Sequence, residues 1–307
     1  MRSSYFTHLL RSVCVAGAMA ISLNAPAAVT VVINFTDSLG EGFFDPTLGP
    51  ARQSAFFYAV NQWASQLVGT VPIQIEASFD GLGGTPTSAI LGQAFFTSAH
   101  ANFVGAPLPN TWYPVALANQ LAGTDNTPVQ PDIVAIFNSD VDDPIVLGSV
   151  NFYYGTDGNP GPHVDFVTVA LHELGHGLGF ASLLDLNTGQ WAAGLPDIYS
   201  IQLTQQGVGD FSGMTDGQRA TAVISGQVYW KGANVVAEKG GQVKMYAPNP
   251  VEPGSSISHW DPSNSPDLLM EPAYSGAHHS VDLTKQAFQD LGWSFVPPAQ
   301  VAGWELY

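Results

Sequence analysis

With 307 residues and an apolar content of 45%, the chain is long enough for one large domain or two subdomains around a sizeable core. Eight Lys and Arg stand against 25 Asp and Glu, and the resulting net charge of -17 repels nucleic acid and anionic membrane surfaces, which sets both aside as partners.

The N-terminus reads as an export signal. Arg2 and Arg11 supply a basic start, "SVCVAGAMAISL" is an apolar run too short to span a bilayer and stay there, and Ala25-Pro26-Ala27 is a small-x-small cleavage site. A signal peptide over residues 1–27 implies a secreted protein, extracellular or periplasmic, whose mature chain begins near "VTVVINF". Removing Arg2 and Arg11 leaves 6 basic residues against 25 acidic ones, a mature charge of about -19. The single cysteine, Cys14, lies within the apolar run, so the mature chain has neither disulfides nor a thiolate nucleophile. No later stretch is apolar enough for a membrane helix, so no membrane insertion is expected after cleavage.

Along the mature chain, strands and helices are expected in mixed order. "VTVVINF" (29–35) is short and β-branched, a strand. Between Pro50 and Val68 the residues Phe56, Val60, Trp63 and Leu67 recur at helical spacing, with Gly69 as the stop. "VPIQIEASF" (71–79) alternates as a half-buried strand does, and the turn-rich "DGLGGTPT" follows it. "DIVAIF" (132–137) is a further strand, ahead of an acidic loop with Asp140, Asp142 and Asp143. That loop is a minor candidate for Ca²⁺, because it lacks the EF-hand pattern.

The segment "HVDFVTVALHELGHGLGF" carries the chemistry. Asp165 caps a helix over 166–178 that is apolar on nearly every side, and Gly177 and Gly179 mark its end. Residues four apart share a helix face, so His172 and His176 project side by side and can offer ring nitrogens to one ion, with Glu173 next to them. Two imidazoles leave Zn²⁺ electrophilic enough to acidify its water, and a neighbouring glutamate can act as general base. Left unpaired in a buried helix, these groups would cost several kcal/mol each, which argues against a purely structural reading. The lone His100 and His163 read as ordinary polar residues.

Catalytic zinc takes a third protein ligand and keeps a place for water. The extended pattern H-E-x-x-H-x-x-G-x-x-H would put that ligand at 182, where this chain has Ser182, although Gly179 is present. The ligand must come from elsewhere, and His259 in "GSSISHWDPSNSPDLLMEPAYSG" is the preferred candidate, followed by Met270 in "LLMEP". The adjacent His278 and His279 are rivals, and Glu238 and Glu252 lie in turn-rich sequence that suits a glutamate ligand poorly. "HELGHGLGF", a long insertion, "SHWD", "LLMEP" and "VDLTKQAFQDLGW" together resemble the leishmanolysin-like group of metzincin zinc endopeptidases. The resemblance is good over the active-site helix and residues 254–293 and covers the N-terminal half only in element order. It implies His172, His176 and His259 as zinc ligands, Glu173 as base, Gly179 as the turn out of the helix and Met270 as the floor beneath the metal. The chain departs from that group in having neither an obvious propeptide nor a latency cysteine.

In the insertion after Leu183, "MTDGQRATAVISG" has a helix start and stop, and "QVYW" and "QVKMY" read as short strands. Trp191, Tyr199 and Trp230 are mostly core, with a specificity pocket as the other role. "DLTKQAFQDLGW" is the last helix, capped by Asp282 and ended by Gly292. Tyr274 is weighed as an oxyanion donor against a structural role. The expected fold is α+β and metzincin-like: an N-terminal catalytic subdomain (28–182) with a twisted sheet and the active-site helix, and a loop-rich C-terminal subdomain (183–307) with the third ligand and the Met-turn. The expected function is a secreted zinc-dependent endopeptidase that takes an extended protein or peptide substrate along a sheet edge. The alternatives are a catalytically silent zinc-binding surface or adhesion protein and a non-peptidase zinc hydrolase.

Overall fold

Val31–Phe35 (β1), Ile73–Asp80 (β2), Gly92–Phe96 (β3) and Ile133–Asn138 (β4) form a mixed sheet in the order β1-β2-β4-β3. They belong to a computed structural model that describes residues 28–297, so the signal-peptide reading of 1–27 lies outside the described residues. β1, β2 and β4 run parallel, with Ile33 opposite Ile75 and Ala77 opposite Ala135, while β3 runs antiparallel along the edge of β4. The alternation legible in the sequence is the cause of the layer. Ile73, Ile75, Ala77 and Phe79 are buried on one face, and Gln74, Glu76 and Ser78 stay half-buried on the other.

Two helices cover the buried face, Gly49–Ala64 (α1) and Phe166–Leu178, the latter counted as α3 because Val115–Ala122 (α2) precedes it. The Trp63 indole N–H donates to the Leu171 carbonyl at 3.1 Å and ties α1 to α3. α1 ends before the expected stop at Gly69, because Val29 and Val68 draw the following segment into backbone pairing: Val29 N–H donates to Leu67 O, and Val68 N–H to Ser294 O. α2 and β3 had no clear periodic signal. "GQAFF" is five residues long and sits beyond a turn-rich loop.

The acidic loop does not gather into a calcium site. Asp142 accepts from the Arg52 guanidinium at 2.8 Å, the Tyr154 hydroxyl at 2.6 Å and the Phe152 N–H at 3.1 Å. Asp140 accepts from the Gly83 N–H in the loop after β2, and Asp143 from the Ile145 N–H in its own turn, so these carboxylates are engaged by backbone donors. Asp142 compensates the buried Arg52, which also lies 4.1 Å from the centre of the Phe79 ring.

In the C-terminal half, Leu203–Gln205 (β5), Gly209–Asp210 (β6), Val228–Trp230 (β7) and Val243–Lys244 (β8) make a small antiparallel sheet in the order β6-β5-β7-β8. Asp216–Ala222 (α4) starts in a capping box between Thr215 and Gln218, as its Thr-Asp start suggests. Ala233–Lys239 (α5) was not legible, and Thr284–Leu291 (α6) ends at Gly292 as expected. Asp282 sits one residue before the N-cap Leu283 and takes the Thr284 N–H at 2.9 Å. Tyr199 and Trp230 line no specificity pocket. They are buried against Phe180 and Trp260, and Trp191 packs under the Arg219 guanidinium. The architecture is α+β.

Candidate metal centre

α3 begins where its sequence says it should. The Asp165 carboxylate accepts from the Thr168 N–H at 2.7 Å, and every residue of the helix except His172 is buried. Its glycines are set by space and by backbone. A Cβ on Gly177 would lie 2.3 Å from Ile133 Cγ2, so this glycine is where the helix presses on the sheet; Gly177 lies inside the helix rather than at its end. A Cβ on Gly175 would lie 2.6 Å from the Met270 sulfur, so this position seats Met270 against the helix. Gly179 takes φ 119° at the C-cap, a left-handed conformation in which the chain leaves the helix.

The imidazoles of His172, His176 and His259 converge. Their Nε2 atoms are 3.0 Å (172–176), 3.1 Å (176–259) and 3.2 Å (172–259) apart. Each Nδ1 faces a backbone carbonyl: His172 that of Leu269 at 2.8 Å, His176 that of Phe180 at 2.8 Å, and His259 that of Ser255 at 3.0 Å. A carbonyl oxygen only accepts, so the ring hydrogen sits on Nδ1 and each Nε2 presents a bare lone pair. Three lone pairs aimed at one another have no donor among them and are tolerated only around a cation. Three bonds of about 2.0–2.1 Å at tetrahedral angles span about 3.3–3.4 Å between donor atoms. The three histidines can therefore hold a metal ion, and no other such group of ligands occurs among the described residues.

Electrostatics keep the ligands neutral. Burial lowers all three imidazoles below their ordinary range, His176 well below it and His259 to about 3, with the neighbouring histidines adding to the effect at His176 and His259. An unfolded chain binds protons at these sites near 6.5, whereas the folded metal-free protein does not. The stability they contribute is thus present above pH 6.5 and drains away as pH falls toward about 3. In urea titrations of metal-free protein, the midpoint is expected to fall more steeply from pH 6.5 to 4 for the parent than for His259→Leu. Parallel curves for the two proteins would remove His259 from this linkage.

Glu173 is not among the ligands. It is 7% exposed, and its carboxyl is pushed up to about 8 by burial, with the Ala94 N–H pulling it part of the way back. β3 passes directly over it. A Cβ on Gly92 would lie 3.1 Å from Glu173 Cγ and 3.3 Å from its Oε1, so a side chain there would crowd the carboxyl.

β3 is the outer strand of its sheet, and no further strand pairs with it among the described residues. Asn138 N–H donates to Leu91 O and Thr97 N–H to Asp132 O, both at 3.0 Å, so the odd-numbered residues of β3 bond to β4. Gly92, Ala94 and Phe96 therefore turn their N–H and C=O groups toward the outer edge, beside Glu173. No sequence signal marked these residues, since a five-residue strand is too short for its periodicity to be read.

The rival residues are engaged elsewhere. His278 pairs with Asp282 at 3.3 Å and His279 with Asp165 at 2.9 Å. The Tyr274 hydroxyl accepts from the Asp165 N–H at 3.1 Å, at the far end of α3 from His176, so it is tied to the helix start. Ser182 donates its N–H to Ser258 Oγ at 3.1 Å, one residue before His259. Met270 is fully buried, and its carbonyl accepts from the Trp260 N–H at 2.8 Å, joining its segment to the residue after His259. No protein-family model matches the chain, and no curated protein aligns with it.

Proposed function

We propose that the protein is a secreted zinc endopeptidase of the metzincin type, resembling the leishmanolysin-like group. The observation that carries the reading is the joint placement of three histidine lone pairs, a non-ligating buried glutamate and the outer edge of a strand beside it. A purely structural zinc site has no use for a base and closes with a fourth protein ligand. When bound, zinc polarises the scissile carbonyl and makes its water acidic near neutral pH. His172, His176 and His259 hold the ion through Nε2, and the carbonyls of Leu269, Phe180 and Ser255 fix the ring orientations. Glu173 takes the proton from the attacking water and hands it to the leaving amine. With the Ala94 N–H held by Glu173, the remaining outward N–H and C=O groups of Gly92, Ala94 and Phe96 pair with an extended substrate and bring its carbonyl to the site, a mode that recognises backbone more than sequence.

The test is incubation of an unfolded protein with zinc-loaded residues 28–307 and analysis of the fragments by mass spectrometry. Internal cuts at neutral pH are expected. A zinc-loaded chain that cuts nothing would return the site to a binding role. Strand pairing is checked from the substrate side. In a peptide with a single cut site, N-methylation of a residue that faces β3 should lower kcat/KM about 5- to 10-fold, the worth of one hydrogen bond. The same methyl on the next residue, whose N–H points away, should change little. Equal effects at both positions would remove β3 from substrate binding.

A further inference from the structure

The turn Pro196–Ser200 lies in the insertion, outside the ligand set, yet segments from three sides of the metal centre meet on it. Asp197 is 3% exposed. Its Oδ1 accepts from the Ser200 N–H at 2.7 Å, and its Oδ2 from the Ser200 hydroxyl at 2.7 Å and the Leu183 N–H at 3.1 Å. With its hydrogen committed to Asp197, Ser200 Oγ receives the Ser182 hydroxyl at 2.7 Å, and Ser182 Oγ in turn accepts from the Leu184 N–H at 3.0 Å. The Ser182 N–H continues to Ser258 Oγ at 3.1 Å. On a second side the Tyr199 hydroxyl donates to the Ile257 carbonyl at 2.9 Å. On the third, Trp112 N–H donates to Pro196 O and Ile198 N–H to Trp112 O, both at 2.9 Å, just before the Pro114 ring on which Gly179 packs.

These bonds bear on two of the three ligands. The segment anchored at Ser182, Leu183 and Leu184 begins at Phe180, whose carbonyl orients His176. The segment anchored at Ile257 and Ser258 leads directly into His259. A buried carboxylate served only by neutral donors is costly to a fold, and bonds to an anion are shorter and more rigid than neutral ones. We propose that Asp197 is a positioning residue for the metal centre, holding His176 and His259 in convergent geometry through Ser200, Ser182 and Ser258. The long insertion thereby does the work that a short linker does where the third histidine lies at the position of Ser182. This inference rests on the reading of the histidines as a metal centre.

The experiment uses the full mature chain and measures zinc affinity against a chromophoric chelator, together with the visible spectrum of the Co²⁺-substituted protein. Asp197→Asn is expected to bind zinc 10- to 100-fold more weakly, the usual cost of removing a partner behind the ligands, and to shift the Co²⁺ bands. Ser258→Ala is expected to do the same, while Ser258→Thr, which keeps the hydroxyl, restores parental affinity. Thr215→Ala, which breaks the capping box of α4 in the same insertion, is expected to lower Tm without changing zinc affinity. Parental affinity and spectrum in Asp197→Asn would overturn the inference, as would a loss of zinc in Thr215→Ala matching that of Asp197→Asn. If Asp197→Asn does not fold, the Ser258 pair decides, and unchanged affinity in Ser258→Ala overturns it. A parent chain that binds no zinc overturns the metal-centre reading itself.

Discussion

Glutamine at position 173 is expected to stop peptide cleavage while leaving the metal in place. The glutamate lies beside the ligands without joining them, so one zinc per chain should remain. The exchange is nearly isosteric, which matters where a Cβ on Gly92 would already crowd the side chain. The amide oxygen can still accept from the Ala94 N–H, so packing and strand placement survive, but the amide cannot take a proton from water. General-base catalysis is worth about 10²–10⁴-fold, and the fall in kcat should lie in that range with KM nearly unchanged. The acid limb of the pH profile belongs to the same group. Burial, partly offset by the Ala94 N–H, holds the carboxyl at about 8, and a neighbouring dication stabilises the carboxylate and lowers that value. Activity of the zinc-loaded parent should therefore rise with pH through a midpoint below 8, and Glu173→Gln should lack that rise. A variant within tenfold of the parent would mean that another group moves the proton.

The parts of the fold and site that the sequence disclosed are those with local causes. Asp165, the apolar run and Gly179 specify α3 by cap, period and stop, and they place His172 and His176 on one face whatever the rest of the chain does. The alternation in Ile73–Asp80 likewise fixes which side chains meet the helices. His259 and Met270 were reachable only by ligand count and by resemblance, because their contacts with α3 span 87 residues for the His172–His259 pair. The long-range parts were illegible for physical reasons. β3 gains its identity from pairing with β4 and from the proximity of Glu173, neither of which is written in "GQAFF". Asp142 was open to a calcium reading because its actual partner, Arg52, lies far away in sequence. Asp197, Ser200 and Ser182 are common turn residues, and only the fold brings them to one place. Trp230 and Tyr199 carried no signal that separates core from pocket, since a buried aromatic and a pocket wall have the same composition.

His259→Ala should lose zinc where His278→Ala keeps it, and the contrast follows from how each ring is held. His259 sends Nε2 to the other two histidines, so its removal leaves only two protein ligands. Apparent zinc binding of about 10–16 kcal/mol shared over the coordination shell gives roughly 3–4 kcal/mol per ligand, a loss of about 10²–10³ in affinity. The backbone around it should stay in place. Its carbonyl accepts from the Tyr246 N–H at 2.9 Å, and the Trp260 N–H is tied to Met270 O at 2.8 Å, neither of which involves the imidazole. His278 reaches the centre only at a remove. Its ring meets Asp282, the Asp282 carboxylate holds the Leu269 N–H at 2.6 Å, and the Leu269 carbonyl orients His172. Asp282 keeps its bonds to Leu269 and Thr284 without that ring, so the zinc affinity of His278→Ala should stay within about tenfold of the parent, the mild end of what an outer partner costs. Unfolding curves provide a second readout. A ligand that binds only the native state raises Tm in proportion to the logarithm of its concentration over Kd. Added zinc at micromolar levels should therefore raise Tm in the parent and in His278→Ala by similar amounts and raise it much less in His259→Ala. The reverse pattern would move the third ligand into the loop after the Met-turn, and the placement of His259 beside His172 and His176 would then be a packing arrangement without a metal.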